Sequence, residues 1–162
     1  MKTLSHQELL KDMGYALGLE LEFDDNGQCF LLLDEELMVS IRNLDDSWVL
    51  YGMLGNIWTS DADEESNETS LAKAQVLLAL NLAFAEAGGA SIALEGSSGV
   101  AMLVSRVSTA GVNSERMQEI IGNFVNQLSH AIGILRDESQ PQETAPPPSL
   151  PAFPPDIFST RV

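Results

Sequence analysis

TSLAKAQVLLALNLAFAEAGGASIAL, residues 69–94, is the stretch that decides how this chain is read. From Leu71 to Ala87 it runs without Gly or Pro, and its only charges are Lys73 and Glu86. Ala and Leu dominate, and both are strong helix formers. Ser70 stands where an N-cap is wanted, and Gly88-Gly89 supplies the left-handed residue that ends many helices. The apolar positions Leu71, Val76, Leu77, Leu78, Leu80, Leu82 and Phe84 point nearly all round. A helix apolar on every side is buried on every side. In a chain of 162 residues a single core covers only part of it, so this is either the central helix of a monomer or a helix covered by a second subunit. Periodicity leaves both open.

Upstream, Ser5-His6-Gln7-Glu8 forms a capping box, and Leu9, Leu10, Met13 and Leu17 follow at helical spacing until Gly18 closes the helix. Gly14 inside this helix costs about 1 kcal/mol relative to Ala, which a close packing contact would justify. Four short runs with strand character come next: Glu20–Asp24, Gln28–Asp34, Leu37–Arg42 and Ser47–Leu54. Asn26-Gly27 between the first two is a hairpin signal. In the third, Leu37, Val39 and Ile41 alternate with Met38, Ser40 and Arg42. Connections this short imply an antiparallel meander. The segment Gly55–Glu68, with five acidic residues, reads as a solvated loop.

Downstream, Ser91–Glu95 and Val100–Val107 read as two strands joined by a hairpin at Gly96-Ser97-Ser98-Gly99. Asn113 or Ser114 caps a last helix, in which Met117, Ile120, Ile121, Phe124, Leu128, Ile132 and Leu135 keep the helical period. The expected fold is therefore α+β: an antiparallel sheet in the order helix, strands, helix, two strands, helix, with the helices packed against the sheet. One domain is expected over residues 1–137. Residues 138–162 hold all seven prolines of the chain and read as a disordered or polyproline tail.

Composition narrows the chemistry. A formal charge of −16 argues against nucleic acid, where phosphates need Lys and Arg, and against an anionic membrane surface. The single cysteine, Cys29, excludes an internal disulfide framework and suits a reducing cytosol. No signal peptide is expected, since residues 1–18 hold no continuous apolar run. His6 and His130 lie far apart without companions at ligand spacing, and no nucleophile, base, phosphate-loop or metal pattern is present, so neither an enzyme nor a metal or other cofactor is expected. The acidic pattern Asp61-x-Asp63-x-Glu65 lacks the glycine and the twelfth-position glutamate of a calcium loop. What remains is apolar surface. Phe30, Leu32 and Met38 fall opposite the set that faces the helices, and Leu9 and Met13 widen the stripe of the first helix. An exposed apolar patch on a highly charged domain suggests binding to another chain.

Three stretches together resemble one family. Asn81–Ala90 (NLAFAEAGGA), Leu17–Asp34 (LGLELEFDDNGQCFLLLD) and Trp48–Gly55 (WVLYGMLG) are similar to the helix end, the opening hairpin and the third strand of the CesT/SicP (Tir chaperone) family of type III secretion chaperones. The match spans about residues 5–136 and leaves out the Pro-rich tail. It implies a non-enzymatic chaperone in the bacterial cytoplasm, a homodimer joined largely through the second helix, at Leu71, Leu78, Leu82 and Ala85, and the adjacent strand. It further implies a secreted effector as partner, whose extended N-terminal segment is kept soluble and export-competent until the export apparatus takes it. Leu9, Met13, Phe30, Leu32 and Met38 are the expected effector-binding residues. A regulatory protein on the same fold, sequestering a partner that controls secretion genes, is the alternative that the sequence does not separate.

Overall fold

The computed structural model describes residues 5–33, 36–58, 64–87 and 89–138. Its elements in chain order are α1 (His6–Leu17), β1 (Gln28–Leu33), β2 (Leu37–Asn43), β3 (Ser47–Asn56), α2 (Glu64–Glu86), β4 (Ser91–Leu94), β5 (Val100–Ser108) and α3 (Ser114–Glu138). The strands form one antiparallel sheet in the order β1-β2-β3-β5-β4. The expected α+β architecture is the one observed. The Pro-rich segment 139–162, Gly88, Asp61 and Asp63 lie outside the described residues.

The sheet keeps one face for the core. Cys29, Leu31, Val39, Ile41, Trp48, Leu50 and Leu103 are buried there against Leu10 and Met13 of α1 and Met117, Phe124 and Leu128 of α3. Helix α3 crosses β2 and β3, α1 packs beside α3, and α2 lies at the far end against β4 and α3. Strand β3 and α3 approach closely at Gly52: a Cβ there would stand 2.7 Å from both methyls of the buried Leu128. Gly52→Ala is therefore expected to lower stability by about 1–3 kcal/mol through overpacking. Gly122→Ala, in the interior of α3 with nothing within 4 Å, should instead raise it by up to about 1 kcal/mol by restoring helix propensity. Urea midpoints of the two variants check the opposite signs.

The helix ends follow the local chemistry. Ser5 and Glu8 form the expected capping box, and Gly18 closes α1 at φ 69°. Asn113 caps α3, its Oδ1 accepting from Arg116 N at 2.8 Å. Gly14 has its packing reason: a Cβ would lie 2.7 Å from the carbonyl oxygen of Leu19 and 2.9 Å from Leu21 Cγ, because the chain leaving α1 turns back along it. In the β4–β5 turn the Glu95 carboxylate accepts from Ser97 Oγ and Ser98 N, each at 2.6 Å. Those bonds, the Ser97 hydroxyl first, hold its pKa down to about 2.

Two sequence expectations need correction. Helix α2 begins at Glu64, not after Ser70, so the last five residues of the supposed loop are helix and Ser70 is a buried residue inside it. Glu65 in the first turn suits the positive end of the helix dipole. The run Glu20–Asp24 is not a strand. Phe23 N donates to Gln7 Oε1 of α1 at 3.3 Å, and Leu21 is buried beside Gly14, so the segment packs on α1 instead of extending the ladder.

Candidate functional site

The other face of the sheet has no described element packed over it. Alternation along the strands sends Phe30 and Leu32 of β1, Met38 of β2, Met53 of β3 and Met102 of β5 to this side. The register places them in rows: Leu32 opposite Met38, and Met53 opposite Met102. The next row runs Phe30, Ser40, Tyr51, Val104. Leu32 is 64% and Met38 48% exposed, values at which a large apolar side chain on a folded surface stands free. Beyond Tyr51 the face turns polar at Arg42 and Arg106, the latter held by Asp46 at 3.2 Å.

Two hollows mark this face and share Met38 and Met53. One opens toward Phe30, Tyr51 and Met102. The other runs past Leu32 to the C-terminal end of α3, where Ile132, Leu135 and Arg136 form its wall and Arg136 pairs with Glu36 at 3.1 Å. Methionine suits such a surface, since its unbranched, polarisable side chain reshapes itself around different neighbours.

Of the five residues expected to bind a partner, the structure brings Phe30, Leu32 and Met38 together on the exposed face. It does not bring Leu9 and Met13 to them. They are 2% and 0% exposed, in the main core. The wide stripe of α1 is wide because the helix is wedged between α3 and the returning segment around Leu21, and each contact needs its own row of side chains. The apolar residues α1 does expose are Tyr15 and Leu17, next to Leu19. Sequence reading missed these, as it missed Met53 and Met102. Alternation from the inward Leu50 and Gly52 gives Met53, and from Leu103 gives Met102, once the pairing of β3 with β5 is known.

Helix α2 carries the second exposed apolar feature. Ser70, Leu77 and Phe84 are buried, while Leu71, Leu78, Leu82 and Ala85 are exposed and fall along one stripe at steps of seven, four and three residues. Within the single chain the helix is thus not covered on every side. Beside Leu78 an apolar hollow lies between α2 and β4, walled by Ile57, Leu77, Ile92 and Leu94. Asn81 Oδ1 accepts from Ile92 N at 2.8 Å and ties the helix to that strand.

No group of ligating side chains that could hold a metal ion occurs among the described residues. Burial pushes the Cys29 thiol up, away from the reactive thiolate. His6 bridges Asn43 through Nδ1 and Thr109 through Nε2, fastening the start of α1 to the end of β2 and to the loop after β5. No described helix is long and apolar enough to cross a membrane.

Comparison with known proteins agrees with this fold. The model of the Tir chaperone protein (CesT) family matches residues 8–131. A structure described as the HopA1-SchA chaperone-effector complex is similar at 19% identity and TM-score 0.61, covering 77% of this chain and 91% of that one. The Yersinia pestis type III secretion chaperone SycH, solved with a fragment of YscM2, matches at 16% identity and TM-score 0.55, over 78% of this chain and 99% of its own. The ExoU-SpcU complex of the Pseudomonas aeruginosa type III secretion system matches at 16% identity and TM-score 0.56, over 82% and 99%.

Proposed function

The chain belongs to the Tir chaperone protein (CesT) family, as a non-enzymatic type III secretion chaperone that binds effectors, and from that premise we propose where and how it holds its effector. An extended N-terminal segment of the secreted protein lies across the open sheet face, its apolar side chains seated among Phe30, Leu32 and Met38. The observation that carries this reading is the row of exposed Leu and Met side chains on a sheet face that no described element covers. An extended segment fits because it presents side chains to such pockets without needing a fold of its own. Tyr15, Leu17 and Leu19 give the segment a further apolar landing on the outside of α1.

The functional unit in this reading is a homodimer in the bacterial cytoplasm. The Leu71, Leu78, Leu82 and Ala85 stripe of one copy packs on that of the other, with the hollow beside Leu78 receiving a partner side chain. A two-fold interface of this kind is self-complementary. The charge of −16 keeps an assembly with exposed apolar faces soluble.

The test is purification of the complex from the native host, then limited proteolysis. The expected result is a protected fragment from near the N-terminus of a secreted protein, unfolded when isolated. Recovery of a globular domain, or of no secreted protein at all, would contradict the proposal.

A further inference from the structure

The groove on the sheet face runs to the point where the described chain ends. Its outer wall is Ile132, Leu135 and Arg136 of α3, and α3 stops at Glu138. The segment beyond Glu138 therefore starts at the groove's mouth. Its composition sets it apart from the rest of the chain: all seven prolines lie between Pro141 and Pro155, together with Leu150 and Phe153, and Ile157 and Phe158 come just after them.

We infer that the chain's own segment 139–162 is a competing occupant of this groove, covering it until an effector segment displaces it. The inference rests on the reading of the sheet face as the effector site and adds its regulation. Three physical points favour this occupant. Prolines lack the N–H needed to extend a sheet edge, so such a segment is suited to an apolar groove and not to strand addition. Proline-rich chains dock on aromatic-lined surfaces as preformed polyproline helices, and Phe30, Tyr51 and the three methionines offer that lining. Reach is ample. Leu150 and Phe153 stand 12 and 15 residues beyond Glu138, about 37–46 Å at 3.1 Å per residue. Crossing from β1 to β5 takes three strand spacings, about 14–15 Å.

Tethering makes a weak contact sufficient. A tethered segment has an effective concentration of about the millimolar range when its linker can span the sites, so an intrinsic affinity of that order already populates the docked state. A free ligand then sees the groove taxed by the docked fraction. The contact is thus strong enough to shield the methionines and weak enough to yield to a longer effector segment.

The experiment compares the full chain with a full-length variant carrying Leu150→Ser, Phe153→Ser, Ile157→Ser and Phe158→Ser, both labelled at the methionine methyl carbons. The expected result is that the Met38, Met53 and Met102 signals differ between the two proteins, independently of protein concentration, while the buried Met13 and Met117 stay in place. The neutral dye Nile red should bind the variant about two-fold or more tightly, the competition having been removed. Unmoved groove methionines with equal dye binding would overturn the inference. So would shifts that grow with concentration, which mean a second copy's segment, or shifts that include Met13 and Met117, which mean an altered core. No effector enters these measurements, so they fail or succeed separately from the effector-site reading.

Discussion

Replacing Leu78 and Leu82 together by Asp is expected to convert the proposed homodimer into a folded monomer. In the single chain these side chains are 70% and 56% exposed, so carboxylates placed there remain in water and leave the α2 contacts of Leu77 and Phe84 intact. In a two-fold interface the double substitution changes four positions at once. Each leucine lost from burial forfeits about 1.5–3 kcal/mol, so at least about 6 kcal/mol is withdrawn, more than four decades in dissociation constant. Burying the new charges without partners would cost still more. Sedimentation and circular dichroism at micromolar concentration report the result. A wild-type monomer, or a double variant that still dimerises, would contradict the proposed interface. Leu77→Asp provides the contrast: it puts a charge at a buried position and should unfold the domain.

Much of the fold was legible because the chain's local signals agree with its tertiary structure. The Ser5–Glu8 capping box, the Asn113 cap and the long period of α3 each identify an element from a few residues. The strands of the meander declared their inward face through Val39 and Ile41, and Phe30, Leu32 and Met38 followed by alternation. The failures have equally local causes. Residues 64–69, EESNET, carry no apolar period, so nothing in them distinguishes a helix start from an acidic loop. Glu20–Asp24 alternates like a strand, but hydrogen-bond partners are not encoded in periodicity, and this segment found α1. The stripe of α1 showed that Leu9 and Met13 face something. It could not show that a returning segment of the same chain, fitted against Gly14, uses up the surface that a partner would need.

The same limit explains why the outer face was only half read. Ser47–Leu50 is buried on both faces of β3, down to Val49 on the outer side, so a run of apolar residues there does not sort itself into inside and outside. Met53 and Met102 become neighbours only through the pairing of β3 with β5, a contact between strands separated in sequence by α2 and β4. Long-range pairing of this kind is what a single sequence conceals, and it turns three exposed residues into a continuous groove.

The central claim, that this face is where the effector is held, is tested most directly by the full-length double variant Leu32→Ser with Met38→Glu, measured by circular dichroism and by capture of the native partner on the same preparation. Among the described residues nothing covers either side chain, so surface substitutions of this kind should shift stability by only about 0.5 kcal/mol each. In the proposed complex they become buried, and losing two apolar anchors would withdraw about 3–6 kcal/mol, two to four decades in affinity. The account predicts an unchanged spectrum, an unchanged thermal midpoint within a few degrees, and a partner no longer captured. A variant that keeps its partner at native affinity, or one that loses its fold, would contradict it.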